Sequence, residues 1–438
     1  MSIFNIPHSD LIMADKFDVI VVGGGPSGLA AAYTAAKAGL NTFVAERGDS
    51  SGTKNMFGGV LYVDTLRKMI PEFWKEAPVE RPISQRKITF LTDESYVSID
   101  YKNQKFREPP YNGFSVLRAK FDKWLSQKAE EAGALIAAGI KVDDLVYDGQ
   151  KVTGIKSESD MIEGNVIIAA DGVVSLMSQK AGLKPILKPQ DVGLGVKEII
   201  EFSEGEIDKR FGLKKGEGVE ELILGAPTRK LRGGGFVYTN KTSISLGLIV
   251  SLEEMRKSEY YAYDMIENFR ANPYISDLVE GGTIKEYSAH LIPERGLGMV
   301  PKLYRDGMMV VGDAAGFVNS SGIYLNGVDL AILSGVFAAQ TAIKAHKDKD
   351  FSAKSMMHYE TLLKESVILK DMQTYKKAPK AIENPRFYSK YPDMINNIMK
   401  NIVISDGLPK KRIMQLLKQE NMPLTTLLID AIKGGRAL

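Results

Sequence analysis

The run FDVIVVGGGPSGLAAAYTAAKAGLNTFVAE, residues 17–46, decides the fold class of this chain. Its first six residues, Phe17–Val22, are apolar and β-branched apart from Asp18, the pattern of a strand buried on both faces. Gly23, Gly25 and Gly28 follow, with Pro26 and Ser27 between the last two. Gly23 permits a tight turn, Gly25 lets the backbone approach a pyrophosphate, and Gly28 lets helix and strand pack closely. Leu29–Ala38 is rich in helix formers, and the first N–H groups of such a helix face an anion. Gly39 ends it as a C′ glycine would. A second strand over Asn41–Ala45 closes with Glu46, 18 residues after Gly28, where a carboxylate accepts from a ribose hydroxyl. Strand, glycine turn, helix and acidic residue in this order predict a dinucleotide site.

Two later segments sharpen that reading. Val166–Ala170 is another buried-strand run and is followed by Asp171 and Gly172; Met308–Val311 is a third, followed by Gly312 and Asp313. An early glycine turn, a midway Asp-Gly and a late Gly-Asp together resemble the para-hydroxybenzoate-hydroxylase-fold flavoproteins. The resemblance implies FAD as the cofactor, with Asp313 at its ribityl and pyrophosphate part and the Asp171-Gly172 segment beneath it. An arginine opening a helix contacts the cofactor in that fold; here it is Arg118, ahead of a helix expected over Ala119–Ala132. Arg47 and Val142 complete the expected nucleotide-side set. Asn319–Gly327 follows the Gly-Asp motif, with Gly322, Asn326 and Gly327 expected at the cofactor, and then an apolar helix over Val328–Ala345. In the resembled fold this helix points its N-terminus at the N1/C2=O edge of the flavin. Its dipole stabilises an anionic reduced ring by about 1–2 kcal/mol, raising the potential toward that of a one-electron carrier.

No second fingerprint is visible, because Gly233-Gly234-Gly235 leads into a strand-like run, so no dedicated nicotinamide domain is expected. The 438 residues contain no cysteine, which excludes a disulfide framework, a thiol nucleophile and a cluster held by cysteines of this chain. The four histidines lack HExxH-type spacing, and no metal site is expected. The net charge of +3 is too small to suggest nucleic acid. It is unevenly spread: from Thr341 onward 18 Lys/Arg stand against 10 Asp/Glu. That suits anionic lipid or an acidic partner, and equally a plain solvated helical surface. The apolar run Leu330–Ile343 is too short to span a bilayer and no signal peptide is visible, so a soluble or peripheral protein is expected.

Residues 81–116 and 186–299 read as strands separated by charged loops, among them Arg86–Ser98, Val192–Glu201, Leu222–Leu224, Gly235–Thr239 and Ser243–Ser251. They predict an antiparallel substrate- or quinone-side domain inserted into an FAD domain made of 14–80, 117–185 and 300–345. Leu252–Arg270 reads as one helix, and 346–438 as a helical C-terminal region. The fold class is thus α/β, with a Rossmann-type FAD-binding fold.

Four stretches narrow the family: Gly52–Tyr62, which includes Asn55, Met56, Gly58 and Gly59; Gly234–Asn240; Met299–Leu303; and Gly312–Asn319. They resemble the electron-transfer-flavoprotein:quinone oxidoreductase family and, within it, the C subunits of the Fix/Etf electron-bifurcating complexes. The resemblance implies a single FAD reduced by Etf-type alpha and beta flavoprotein partners, ultimately from NADH, and a membrane quinone such as menaquinone as acceptor. Fused members carry a cysteine-bound [4Fe–4S] segment that is missing here, which implies a separate small ferredoxin-like subunit. It also implies a cytoplasmic protein, peripheral at the inner face of the cell membrane. Asn55, Met56, Gly58 and Gly59 join the expected cofactor set, and the two glycines suit close approach to the isoalloxazine. No acid–base dyad or nucleophile is expected, since the flavin is itself the redox centre. His290 and Tyr238 are candidates to protonate a quinone oxygen, although such residues more often serve packing. Three alternatives use the same fold: a geranylgeranyl-reductase-like prenyl reductase, whose PxxYxWxFP-type signature is missing; a flavin hydroxylase, which would consume NADPH and oxygen directly; and a flavin-free escort protein, which would not need the intact glycine and acidic set.

Overall fold

The computed structural model describes residues 16–54, 59–322 and 324–437. The first module is built from β1 (Phe17–Val22), α1 (Pro26–Lys37), β2 (Thr42–Glu46), α2 (Arg118–Glu131), β3 (Leu135–Ala138), β4 (Asp160–Ala169), β5 (Met308–Val310) and α3 (Val328–Asp348). Its sheet runs β5-β4-β1-β2-β3, all parallel, with Tyr304–Arg305 antiparallel on the outer edge. Val19, Ile20 and Val21 are fully buried, as a central parallel strand requires. One flank is closed from the C-terminal side: Tyr359 is buried there and its hydroxyl donates to the Val310 carbonyl at 3.0 Å.

The helices α1 and α3 lie backbone to backbone. A Cβ on Gly335 would stand 2.0 Å from the Ser27 carbonyl oxygen, so only glycine lets α3 approach this closely. By length and composition α3 is apolar enough to cross a membrane, and at 21 residues it is longer than the run visible in the sequence. It is instead mostly buried against α1 as a core helix.

The second sheet runs in the order Thr283–Pro293, Val192–Glu201, Ser243–Ser251, Gly233–Thr239, Gly218–Gly225, Val79–Leu91, Gly113–Val116 and Val60–Tyr62, with Tyr96–Lys102 paired to Val79–Leu91. It is not wholly antiparallel: Gly218–Gly225 lies parallel to Val79–Leu91. The two strands are joined by more than a hundred residues, so no hairpin dictates their direction. Arg86–Ser98 is likewise not one strand. A turn at Thr92–Ser95, closed by the Thr92 hydroxyl and backbone, splits it into two antiparallel strands. The helix expected over Leu252–Arg270 is two, Leu252–Lys257 and Ala262–Ala271; the Ser258 hydroxyl bonds back to the Met255 carbonyl and ends the first.

Strand alternation gives this sheet two unlike faces. Val219, Ile223, Val237, Leu246, Leu248 and Val250 form a core with Met265, Ile266 and Phe269 of the covering helix. Glu220, Leu222, Leu224, Phe236 and Tyr238 project the other way and line cavities instead. The C-terminal helix Lys390–Val403 is tied to the sheet by Asn396, whose amide donates to the Phe90 carbonyl at 2.9 Å and accepts from Ser95. The last helix, Leu424–Gly435, is held by a two-point Arg386–Asp430 ion pair.

The glycine contact is open to test. Gly335→Ala should cost about 1–3 kcal/mol as an overpacked helix interface, lowering the unfolding midpoint and the flavin content together. An unchanged midpoint would show that α3 is free to move away.

Candidate flavin site

The turn after β1 uses its glycines in three ways. Gly23 has φ +107°, and a Cβ there would lie 2.4 Å from the Ala170 carbonyl oxygen. At Gly28 a Cβ would lie 2.0 Å from the Gly23 carbonyl oxygen. At Gly25 it would meet nothing within 4 Å, because that position faces open space. The N-terminus of α1 carries Pro26 in its first turn and no side-chain cap, leaving its N–H groups to a ligand. Gly312, with φ +61°, packs on Ser27 and donates its N–H to the Ser334 hydroxyl at 2.9 Å. The Gly-Asp loop is thereby held against the start of α1.

Three cavities follow one another from this turn. The first, of about 280 Å³, is lined by Gly23, Gly25, Glu46, Arg47, Val142, Asp171 and Gly172. Its floor is β1 and β2. The Glu46 carboxylate bridges two backbone donors, Gly24 at 2.7 Å and Gly48 at 2.6 Å, and each oxygen keeps a further lone pair. Asp171 accepts from the Met177 N–H at 2.8 Å through Oδ2, while its buried Oδ1 has no hydrogen-bond partner among the described residues. Burial pushes the Asp171 carboxyl up to about 6, against the pull of backbone donors and of Lys184 and Arg47.

The second cavity, of about 160 Å³, shares Gly25, Ala170, Gly172 and His290 with the first and adds Pro26, Ser27, Gly59, Arg118, Asp313, Gly327 and Val328. Arg118 opens α2 and is buried in a two-point pair with Asp122, at 2.7 and 2.6 Å. Burial raises the Asp122 carboxyl and the guanidinium opposes it. Asp313 is raised by burial, against His290, Arg118 and Lys184. The N-terminus of α3 opens on this cavity through Gly327 and Val328, again without a side-chain cap. Gly59 serves packing: a Cβ there would sit 2.6 Å from the Tyr238 ring.

The third cavity, of about 120 Å³, shares Phe236, Tyr238, Ile249 and Leu325 with the second. Gly322 lines this one rather than the nucleotide cavity. Asn326 lines none of the three; it donates to Asp329 Oδ2 at 3.1 Å and to the Tyr324 hydroxyl at 3.0 Å, bracing the start of α3. Asn55, Met56 and Gly58 lie outside the described residues.

Two site residues, Lys184 and Asp122, escape a reading of the sequence, and a third, His290, stands elsewhere than its expected place beside a quinone. Lys184 is buried and donates to the carbonyls of Val173 at 3.2 Å and Ala314 at 3.1 Å, joining the Asp-Gly and Gly-Asp loops. Nothing distinguishes it among the many lysines of the chain. His290 lies where the first two cavities meet. Burial lowers its pKa, against the opposing pull of Asp313. Asp122, four residues after Arg118, is the one member that i, i+4 spacing on a helix could have revealed.

This donor set fits an extended dinucleotide. Uncapped N–H groups at the start of α1 would hold the phosphates, Glu46 and Asp171 Oδ1 have lone pairs that would accept from hydroxyls, and Gly25 leaves room for backbone contact. The fold and site define an FAD-dependent oxidoreductase of the para-hydroxybenzoate-hydroxylase type, and residues 18–182 match the FAD dependent oxidoreductase family. Residues 192–292 match the ubiquinone-binding domain of ETF-QO, and 378–438 the C-terminal domain of the ETF-QO/FixC family. The chain is 45% identical over 426 residues to the probable electron transfer flavoprotein-quinone oxidoreductase YdiS of Escherichia coli K12, covering 97% of this chain and 99% of that one. It is 41% identical over 428 residues to Protein FixC of the same organism, with the same coverage. This chain therefore belongs to the electron-transfer-flavoprotein:quinone oxidoreductase (ETF-QO/FixC) family, and its cofactor is FAD. Among solved structures, a geranylgeranyl bacteriochlorophyll reductase-like protein of Thermoplasma acidophilum shares the fold, with TM-score 0.72 and 23% identity over 95% of this chain and 99% of that one. A flavoprotein/dehydrogenase of Cytophaga hutchinsonii does so at TM-score 0.63 and 17% identity, over 96% and 99%.

Gly25→Val and Asp313→Ala should leave a folded chain whose flavin affinity falls at least about tenfold, or ~1.4 kcal/mol. Gly28→Val should fail to fold, since its side chain has backbone in its way. Circular dichroism and the flavin-to-protein absorbance ratio distinguish the cases; normal flavin content in both of the first two would contradict this site.

Proposed function

We propose that this subunit accepts electrons singly from an Etf-type flavoprotein heterodimer, itself reduced by NADH, and passes them from FAD to a membrane quinone such as menaquinone within an electron-bifurcating complex. The observation that carries the reading is the third cavity. Its floor is the bare backbone of Gly233–Gly235, its walls include Leu222, Leu224, Ile249, Leu325 and Ile382, and it adjoins the ring half of the flavin cavity. A flat apolar ring suits such a space, and the same strands fall in the segment matching the ubiquinone-binding domain.

FAD supplies the redox chemistry, storing an electron pair that it can receive and release one electron at a time. The chain's own residues bind the phosphates, exclude water from the ring and manage protons. The uncapped N-terminus of α3 presents partial positive charge to the ring cavity and favours negative charge there. Quinone reduction also needs two protons. Glu294 lines the third cavity, and burial lifts its carboxyl to about 7 against the neighbouring Arg232 at 3.1 Å, so it can carry a proton near neutrality. Tyr238 lines the same cavity, whereas His290 lies with the cofactor.

Because the chain has no cysteine, a [4Fe–4S] relay in the complex belongs to a small ferredoxin-like subunit. Peripheral contact with the inner face of the cell membrane, from the cytoplasm, is part of this proposal; what supports membrane contact is the C-terminal region, where exposed Ile402, Val403, Leu408, Ile413, Leu428 and Ile432 stand among Lys400, Lys410, Lys411, Arg412 and Lys433.

Mixed anoxically with NADH and a menaquinone analogue, the purified subunit should be inert until the Etf heterodimer is added, and affinity capture should bring down two flavoprotein chains and a small cysteine-bearing one. Robust NADH oxidation by the subunit alone would contradict the proposal.

A further inference from the structure

One polar group on the cavity side of the second sheet stands apart from the glycine turn and the Gly-Asp loop. Pairing brings Glu220 beside Arg86 on one neighbouring strand and Tyr238 on the other. Arg86 Nη2 lies 2.9 Å from Glu220 Oε2 and also donates to the Tyr62 hydroxyl. Its guanidinium sits over the rings of Tyr62 and Tyr324, 5.2 and 5.9 Å from their centroids. The Glu220 side chain is only 4% exposed, and Oε2, though within ionic range of Arg86, is not aligned for a hydrogen bond. Glu220 lines the ring cavity, Tyr238 lines both that and the third cavity, and Tyr324 lines the third.

The fold has no need of this pair. A buried ion pair is rarely more stable than well-packed apolar side chains of similar volume. The next residues on the same face of the strand, Leu222 and Leu224, are such side chains. A buried carboxylate in a cofactor cavity is therefore a functional candidate.

We propose that Glu220 is the proton acceptor of the ring cavity, taking up one proton from solvent when the flavin receives an electron pair and releasing it when the pair leaves. At rest Arg86 and Glu220 cancel. Bound FAD that received two electrons, one at a time from a donor such as a reduced flavoprotein, and one proton from solvent would carry one net negative charge beside Glu220. A hydronium ion of the bulk solvent then gives a proton to Oε2: one hydronium O–H bond breaks, the carboxyl O–H bond forms, and no other protein bond changes. Oxidation breaks that bond and returns the proton. Arg86, 28% exposed, marks the solvent edge of this route.

Within the group formed by Glu220, Arg86, Tyr62 and Tyr238, Glu220 is the member that titrates. Burial raises Tyr62 and Tyr238 well above their usual range, so both stay protonated. Burial also raises Glu220 itself, with Arg86 opposing, while Arg86 is held charged by Glu220 and Tyr62 despite its own burial. His290 and Asp313, across the cavity, pull on each other.

This inference rests on the flavin and not on which acceptor takes the electrons, so its test uses no quinone. Spectroelectrochemical titration of the FAD-loaded protein across about pH 6 to 8 should show wild type taking up one more proton per electron pair than Glu220→Gln. Glu220→Asp should restore the wild-type slope. Arg86→Gln should move the steep segment to higher pH, because losing the cation makes the carboxyl hold its proton longer. Infrared difference spectra should show a protonated-carboxyl band appearing on reduction in wild type and absent in Glu220→Gln. Equal slopes and equal bands in wild type and Glu220→Gln would overturn the proposal. If Glu220→Gln retains no flavin, an unmoved segment in Arg86→Gln does the same.

Discussion

The structure depends on how closely three stretches of backbone approach at the start of α1. Gly28 lets α1 sit against the Gly23 turn, Gly335 lets α3 sit against the Ser27 carbonyl, and Gly312 lets the Gly-Asp loop sit against the Ser27 side chain. Each contact leaves no room for a Cβ. Together they set where the uncapped N-termini of α1 and α3 point, and thus where anionic phosphates and an electron-rich ring are favoured. A shift of α3 would carry the Gly-Asp loop with it, because Gly312 donates to Ser334 of that helix.

Much of the first module is legible because its signals are local. A doubly buried strand, a glycine turn and an Ala-rich helix occupy consecutive residues, and Phe17–Val22 and Pro26–Lys37 form where expected, the helix starting three residues early because Pro26 suits a first turn. The position of Glu46 in the sequence predicts a ribose acceptor; in the structure it also secures the Gly24 and Gly48 amides. What stays hidden is long-range. Lys184 joins two loops that lie far apart in sequence, and His290 reaches the crevice only because its edge strand lies beside Val192–Glu201. The parallel pairing of Gly218–Gly225 is equally invisible, since alternation records which face a residue takes and not the direction of its neighbour.

The second sheet works as a partition. Toward its covering helices it is an ordinary apolar core; toward the cofactor it offers glycine backbone, aromatic rings and the Arg86–Glu220 pair. One β-sheet thereby serves stability on one face and walls the cofactor-side cavities with the other. Tyr238, packed on Gly59 and stacked on Phe236 at 4.8 Å, stands where the ring cavity and the third cavity meet. Such packing favours a rigid wall, which suits electron transfer between fixed partners.

A single flavin dinucleotide is expected along the first two cavities. Denaturing the purified chain, then identifying and counting the nucleotide released, should give one FAD per polypeptide. Release of FMN or NADP, or of no nucleotide from a correctly folded chain, would contradict it.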